Sequence, residues 1–157
     1  MSRLSSGKIK SPGHRQNRAL RFKTQGASLG LAASRTDQLI NQVQGGFSFK
    51  TLVCLEAATG IPVAEIATII GLPERTLARR RAAGKLAPDE SERLLRIATV
   101  FEKAVNLFEG DVHAAVAWLR KPRKALAHQT PLAYSRTGIG AREVEDLIGR
   151  LEYGVFS

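Results

Sequence analysis

The sequence predicts an all-α protein in which two helical halves follow a basic N-terminal arm. Three observations lead to this fold class. Successive segments from Thr36 onward repeat their apolar residues every three or four positions, which is the period of a helix. No stretch alternates apolar and polar residues with the period of two that is typical of a half-buried strand. Glycine and proline interrupt the periodic segments at intervals that suit helices of ordinary length.

The N-terminal arm differs from the rest of the chain in its charge. Residues 1–36 contain eight Lys and Arg and no acid, and so account for +8 of the net charge of +10. They are rich in Ser, Gly and Pro and have no sustained period. We therefore expect residues 1–35 to be a disordered arm with affinity for polyanions. A segment rich in Arg and Ser and free of acids also leaves open an organellar presequence.

The first two predicted helices are bounded by capping residues and glycines. A helix over 36–45 has its apolar residues on one face and ends at two glycines. A second helix over 48–59 has Ser48 at its start and Gly60 at its end. The only cysteine, Cys54, lies on the second helix and is interpreted as a small apolar core residue. A single cysteine excludes an intramolecular disulfide, which fits a reducing cytoplasm.

The next two helices have the spacing of a helix-turn-helix. This motif requires a small residue in its first helix, a glycine in the turn, and apolar residues where the helices cross. The residues that meet these requirements are Ala67, Gly71, Ile66, Ile70, Leu72 and Leu77. One position departs from the pattern, because Arg80 stands late in the second helix where an apolar residue is usual.

The second helix of such a motif enters the major groove of DNA, where arginine donates two parallel hydrogen bonds to guanine. We predict that the DNA contacts come from Glu74, Arg75, Thr76, Arg79 and Arg81. Consecutive residues lie about 100° apart around a helix, so Arg80 is expected to fold back towards a carboxylate or the following helix. The alternative is that Arg79–Arg81 form a solvated basic face. Since one unit binds weakly, we expect a homodimer on two half-sites of operator DNA.

The C-terminal half is predicted to begin with a long helix at Pro88, for which Asp89 and Glu92 form a capping pair. Its apolar residues form one continuous stripe. Three further features follow: a helix capped by Asp111 that contains Trp118 as a core residue, a bend at Gly138 and Gly140, and a last helix that ends at Gly154.

The end of the chain carries a more specific pattern. Its members are Trp118, Leu119, Pro122, Leu126, Thr130, Pro131, Leu132, Gly140, Val144, Leu147 and residues 151–155. With these residues, and with the helix-turn-helix before them, residues 48–157 resemble the Xre/MbcA/ParS antitoxins, whose C-terminal domain binds a toxin. The chain departs from that family at Ala127 and His128, where many members carry glycine, and in its long basic arm.

The resemblance implies the antitoxin of a type II toxin–antitoxin system. Its partner would be a RES-domain toxin that depletes NAD⁺ by cleaving it. The C-terminal half would block the active site of that toxin, and the helix-turn-helix would repress the promoter of the module. The expected divisions are an arm over 1–35, a DNA-binding domain over 36–87 and a toxin-binding domain over 88–157.

The toxin contacts are expected at the C-terminus, in residues Arg150, Glu152, Tyr153, Gly154, Val155, Phe156 and Ser157. A pocket built for a dinucleotide offers donors to a pyrophosphate, so an acidic and apolar tail with a free carboxylate would suit it. Tyr153, Val155 and Phe156 are the expected anchors, because aromatic side chains are often hot spots. The alternative is that these residues close the core or the dimer of the chain itself.

Other chemistry finds little support in the sequence. His14, His113 and His128 have no ligand spacing with Cys54 or with each other, and no nucleophile elbow or Walker loop is present. No apolar run is long enough to span a bilayer. We therefore expect a cytoplasmic protein that is not an enzyme and binds no metal or cofactor. The main alternative is a helix-turn-helix transcriptional repressor that has no toxin partner and whose second half serves dimerisation or ligand sensing.

Overall fold

The computed structural model describes residues 21–33 and 35–154, and within them the chain is helical. The α-helices are α1 Thr36–Gly45, α2 Lys50–Thr59, α3 Val63–Ile69, α4 Glu74–Ala83, α5 Pro88–Leu107, α6 Val112–Leu119, α7 Pro131–Tyr134 and α8 Gly138–Glu152. Two short 3-10 helices cover Ala27–Leu29 and Lys124–Leu126. The described residues form no strand beyond two isolated bridges, which confirms the all-α prediction.

The start of α5 differs from the sequence prediction. Pro88 is the first residue of the helix, so Glu90 occupies the third position. The Glu90 carboxylate accepts a hydrogen bond from the Ala87 N–H at 2.8 Å, and this contact satisfies one of the free N–H groups at the helix start. The predicted capping pair of Asp89 and Glu92 is therefore wrong.

The start of α8 also differs, because Gly138 and Gly140 belong to its first turn and do not form a bend. The Thr137 hydroxyl caps the helix by accepting a hydrogen bond from the Gly140 N–H at 3.0 Å. A Cβ atom on Gly140 would overlap the carbonyl oxygen of Tyr134. Glycine is required here because the first turn of α8 lies directly on the end of α7.

One buried core passes through both predicted halves of the chain. Its central element is the twenty-residue α5, which contacts α1, α6, α8 and the first 3-10 helix. The predicted division between residues 87 and 88 stays a prediction, since α5 packs against elements on both sides of it. In the described part of the chain, no single helix is both long enough and apolar enough to cross a membrane. Helices α2 and α3 meet the length and composition criteria only when they are taken together, and they are bent by 104° relative to each other.

Residues 22–33, here called the strap, are folded against α5 although they belong to the predicted disordered arm. The Phe22 ring lies 5.7 Å from the Phe101 ring, measured between centroids. The backbone of Phe22 exchanges two hydrogen bonds with the Asn106 side chain, at 3.1 and 3.0 Å. Disorder is therefore the wrong prediction for the strap. Residues 1–20 and residue 34, which also fall in the predicted arm, lie outside the described residues.

A buried carboxylate on α5 completes the attachment of the strap. Glu102 is only 4% exposed, and its two oxygens accept hydrogen bonds from the N–H groups of Gly26 at 2.9 Å and Ser28 at 3.0 Å. The Ser28 hydroxyl donates to the same carboxylate. Burial raises the pKa of Glu102 above its usual value, and the hydrogen bonds from Ser28 and Gly26 partly oppose that rise.

Candidate functional site

The helix-turn-helix is formed by α3, a short turn and α4. The predicted contact residues Ile66, Ala67, Ile70, Leu72 and Leu77 are all buried. Gly71 takes a left-handed conformation with φ of 72°, which allows the chain to reverse between the two helices. The Leu72 N–H then donates to the Ala67 carbonyl at 2.8 Å and closes the turn. The predicted roles of these residues in the motif are confirmed.

The predicted DNA-contacting residues lie together on α4. Glu74, Arg75, Arg79 and Arg81 are exposed, and Thr76 is half-buried. A groove of about 380 Å³ separates α3 from α4, with Ala64 and Thr68 among its residues on α3 and Glu74 and Arg81 among those on α4. The exposed surface of α4 therefore presents one acidic and three cationic side chains, of which Glu74 and Arg81 line the groove. Contact with DNA by these residues stays a prediction.

Arg80 points away from this surface, as the sequence predicts. Its Nε donates to Glu90 Oε1 at 2.7 Å, and its Nη2 donates to Oε2 at 3.3 Å. Glu90 is buried, and its hydrogen bond raises the pKa of Arg80 further above the usual arginine value. The prediction that Arg80 folds back towards a carboxylate is therefore confirmed. Within the described residues, Arg75, Arg79 and Arg81 of α4 form no ion pair.

The C-terminal end of α4 is fixed to the start of α2. The Phe49 N–H donates to the Gly84 carbonyl at 2.9 Å, and Ser48 and Lys85 form an isolated bridge. The guanidinium of Arg81 lies over the Phe49 ring, 5.4 Å from its centroid. Arg81 is thus held at one edge of α4, a placement that no local sequence pattern indicates.

Arg93 of α5 is a further part of the site that the sequence analysis did not find. Its Nε donates to the Ile70 carbonyl at 2.7 Å, at the turn between α3 and α4. Its Nη1 also contacts Asp89 at 3.1 Å. Arg93 satisfies a carbonyl at the end of α3, and a backbone acceptor of this kind leaves no sequence signal.

The second candidate surface is the outer face of α8, formed by Ile139, Glu143, Asp146, Arg150 and Tyr153. These five residues are exposed and follow a spacing of four and three residues, which places them on one side of the helix. Ile139 is 78% exposed and Tyr153 is 83% exposed, both large apolar side chains without cover. Arg150 and Tyr153 are predicted toxin contacts, and their contact with a toxin stays a prediction; Ile139, in the predicted bend, is not among the predicted contacts.

The predicted toxin-contacting tail is only partly described. Arg150, Glu152, Tyr153 and Gly154 are exposed at the end of α8. The exposure of Tyr153 contradicts the alternative that this residue closes the core of the chain itself. Val155, Phe156 and Ser157 lie outside the described residues.

The loop between α6 and α7 keeps a left-handed backbone without glycine. Ala127 has φ of 52° and His128 has φ of 61°. The His128 N–H donates to the Arg123 carbonyl at 2.9 Å, which closes the loop. The guanidinium of Arg123 lies 5.1 Å from the centroid of the Trp118 ring, and burial lowers the pKa of Arg123. Trp118 is buried, which confirms the prediction that it is a core residue.

The described residues do not bring metal ligands together. Among them, no three His, Cys, Asp or Glu side chains lie close enough to hold an ion. Cys54 is half-buried and not fully in the core, and its Sγ would lie 3.2 Å from a Cβ on Gly30 of the strap. The chemistry of the described surface is therefore that of charged and apolar side chains.

Two family models match the chain, and they meet within α5. The antitoxin Xre-like helix-turn-helix domain matches residues 38–98. The antitoxin Xre/MbcA/ParS C-terminal toxin-binding domain matches residues 103–154. The first match covers α3 and α4, and the second covers the outer face of α8.

Curated relatives of similar length support the same family. A protein of Yersinia enterocolitica named antitoxin Xre is 45% identical over 130 residues, which cover 82% of this chain and 88% of that protein. An antitoxin Xre of Photorhabdus laumondii is 39% identical over 94 residues, covering 59% of this chain and 64% of the relative. An antitoxin Xre of Pseudomonas putida is 30% identical over 118 residues, which cover 74% of this chain and 72% of the relative. From the helix-turn-helix, the C-terminal domain and these similarities together, the chain belongs to the Xre family of antitoxins.

Proposed function

We propose that this antitoxin belongs to a type II toxin–antitoxin system, blocks the active site of a RES-domain toxin that cleaves NAD⁺, and represses its own operon. The role is one of binding and not of catalysis. The observation that carries the proposal is that one chain joins a helix-turn-helix with an exposed cationic α4 to a toxin-binding domain with an uncovered α8. The toxin-binding domain favours this function over a repressor without a toxin partner.

Operator binding is proposed to depend on α4. Arg75, Arg79 and Arg81 are exposed on α4, where Arg81 lines the α3–α4 groove, and arginine is the side chain best suited to guanine in the major groove. Arg79 has no carboxylate partner among the described residues and contacts only the Thr76 hydroxyl, at 3.4 Å. Arg79, like the exposed Arg75, is therefore available to a base. We propose a homodimer, because two half-sites give the affinity that a single unit lacks.

Replacement of Arg79 tests the DNA-binding part of the proposal. Arg79→Ala is expected to weaken operator binding by about 1–3 kcal/mol if Arg79 reads a base, and to relax the preference for the operator over unrelated DNA. The measurement is a titration of both duplexes at fixed salt. Arg142→Ala, an exposed arginine on α8, is the matched control and should leave the operator preference intact. Equal losses on both duplexes would assign Arg79 to phosphate.

Toxin binding is proposed to involve the outer face of α8 together with residues 152–157. Ile139 and Tyr153 are fourteen residues apart, which corresponds to about 21 Å along a helix. Between them lie the acids Glu143 and Asp146, and acidic groups suit a pocket that binds pyrophosphate through donors. The proposal takes Ile139 and Tyr153 as anchors because large apolar side chains that become buried against a partner contribute strongly to binding. The two ends of the face would anchor the toxin.

The toxin-binding part is tested with full-length variants and a purified RES-domain toxin. Ile139→Ala/Tyr153→Ala is expected to reduce co-purification with the toxin and to restore NAD⁺ loss. Ile40→Ala is the control, because Ile40 is also exposed but lies on α1. A second variant that ends at Glu152 tests the tail, including Phe156. Undiminished protection of NAD⁺ by both test variants would refute the proposed toxin contact.

A further inference from the structure

The helical part is nearly neutral in total, but it contains a basic stretch over residues 112–142. Between Asp111 and Glu143 the chain has no acidic residue. The stretch carries six Lys and Arg: Arg120, Lys121, Arg123, Lys124, Arg136 and Arg142. Acids return in α8, so the C-terminal half has a basic part and an acidic part. A separation of this kind gives a surface a preferred direction towards a charged partner.

The basic stretch reaches the helix-turn-helix through Arg120. Its Nη2 lies 2.8 Å from both carboxylate oxygens of Glu65 on α3. Arg120 and Arg136 line one groove of about 400 Å³ together with Thr68 of α3. Thr68 also lines the groove between α3 and α4. Arg120 and Arg136 therefore adjoin α3, and Thr68 of that helix also borders the groove that Arg81 of α4 lines.

Within the described residues, four of the six cations form no internal ion pair or ring contact, and one of these, Arg142, lies on α8 in a groove that it shares with Glu92 and Glu145. Arg120 is paired with Glu65, and Arg123 lies over Trp118. Lys121, Lys124 and Arg136 are exposed, and within the described residues none of them forms an ion pair. These three side chains are here called the basic patch.

We infer that the basic patch binds phosphates of the operator DNA, beside the groove that α4 enters. The inference rests on the proposed DNA-binding function and extends it from α4 to the C-terminal half. DNA is favoured over an acidic protein because Arg136 lines a groove with Thr68, which also borders the α3–α4 groove, and because Lys121 directly follows Arg120, which pairs with Glu65 of α3. The surface proposed for the toxin is a different one, the outer face of α8. Phosphate contacts carry no sequence information, so the patch raises affinity for any duplex and strengthens its salt dependence.

The test compares two full-length double variants that lose the same charge. Lys121→Gln/Arg136→Gln removes Arg136, which lines a groove with α3, and Lys121, which follows the Arg120 that pairs with α3. Lys23→Gln/Arg142→Gln removes two cations that line grooves shared with Glu145, on the α5 and α8 side. Binding to an operator duplex and to a scrambled duplex is measured from about 0.05 to 0.3 M salt, and circular dichroism checks that each variant is folded.

The first double variant is expected to lower the slope of log K against log salt by about 1.8 for each bound chain. Its affinity at about 0.15 M salt should fall about 10- to 30-fold on both duplexes. The control should change the affinity by no more than about threefold, since long-range attraction between exposed charges is screened at this salt.

Four results would overturn the inference. Equal slopes for the two double variants would mean that only net charge matters. A Lys121→Gln/Arg136→Gln variant that keeps its DNA affinity but loses co-purification with the toxin would assign the patch to the partner protein. Operator binding that Arg79→Ala abolishes and Lys121→Gln/Arg136→Gln leaves unchanged would refute this inference alone. A wild-type chain that binds neither duplex would refute both it and the proposed function.

Discussion

Ala127 and His128 hold adjacent left-handed backbone conformations, which side chains normally avoid. The conformation costs an ordinary residue about 1–2 kcal/mol. Both residues are exposed, so their side chains gain little from burial in return. Many members of the family carry glycine at this point of the loop, and the backbone here still has the shape that glycine favours. A departure in residue type therefore need not mean a departure in loop conformation.

Replacement of Ala127 by glycine should relieve part of this strain. Ala127→Gly is expected to raise the free energy of unfolding by about 0.5–1 kcal/mol, the relieved strain less the extra entropy of glycine in the unfolded chain. Ala117→Gly, at an exposed position within α6, should instead lower it by about 1 kcal/mol. Urea denaturation measures both. Equal destabilisation of the two variants would contradict a strained loop.

Glu102 should make stability depend on pH in a direction opposite to that of a paired surface carboxylate. Its pKa is raised in the fold, so the folded state holds the proton more tightly than the unfolded state. This contribution to stability is present below the usual pKa of 4.5 and is lost as pH rises through the raised value. Relative to Glu102→Gln, the wild type should lose stability across that range.

The measurement is the difference in unfolding free energy between the wild type and Glu102→Gln at a series of pH values. Comparison with the variant cancels the titration of the other carboxylates, which is similar in both proteins. Glu145→Gln is the control, because Glu145 forms a more exposed ion pair with Lys103 at 2.7 Å. A difference between wild type and Glu102→Gln that stays constant with pH would contradict the raised pKa.

At the scale of the element, α8 contains two glycines with opposite roles. A Cβ on Gly140 would meet the Tyr134 carbonyl, whereas a Cβ on Gly149 would meet nothing within 4 Å. Gly140→Ala is expected to lower the free energy of unfolding by about 2 kcal/mol or more, since α8 must move away from α7. Gly149→Ala should raise it by about 1 kcal/mol, because alanine is the better helix former. Thermal unfolding of both variants measures these changes. A Gly140→Ala variant as stable as the wild type would contradict the close contact between α8 and α7.

The sequence allowed prediction of the helices whose boundaries depend on local chemistry. The predicted end at Gly60 is observed, where the glycine N–H donates to the Glu56 carbonyl at 2.8 Å. The Asp111 cap is also observed, with its carboxylate accepting from the Ala114 N–H at 3.0 Å. Within the helix-turn-helix, even the direction of Arg80 followed from the angle between neighbouring residues. Periodicity and capping suffice wherever a helix is specified by its own residues.

Features that depend on distant partners could not be predicted from the sequence. The strap has no apolar period, and its order comes from Asn106 and Glu102, which lie more than seventy positions later in the chain. The sequence predicts a bend at the start of α8 because glycine usually breaks a helix. In the structure, Gly140 is helical, and the absence of a side chain there allows close contact with the Tyr134 carbonyl. The basic patch could not be predicted from the total charge of the helical part, because that total combines the basic stretch after Asp111 with the acidic residues elsewhere.

At the scale of the whole molecule, the effect of an N-terminal truncation on the free energy of unfolding should depend on whether the truncation removes the strap. Residues 1–20 hold five Lys and Arg and no acid. Their removal is expected to lower the salt slope of DNA binding by up to about 4.5, if all five contact phosphate, and to leave the fold intact. Removal of residues 1–33 takes the strap as well, which removes the hydrogen bonds to Glu102 and the apolar contact of Phe22 with Phe101, and this should cost about 3 kcal/mol or more.

These two truncated chains can be compared by thermal unfolding and by DNA titration across salt concentrations. Equal melting temperatures would contradict the role of the strap. An unchanged salt slope after removal of residues 1–20 would contradict the predicted affinity of that segment for polyanions. The pair separates a structural role from an electrostatic one within the predicted arm.

The long α5 has a consequence for how such proteins can diversify. The two family matches end and begin within five residues of each other, at 98 and 103, inside a helix whose inward face is buried from Leu94 to Val105. A recombination that exchanges the helix-turn-helix half for that of a relative must join two parental genes in the middle of this packed face. Viable chimeras should therefore arise mainly between parents whose α5 residues fit the same neighbours, which favours change by gradual surface substitution over exchange of halves.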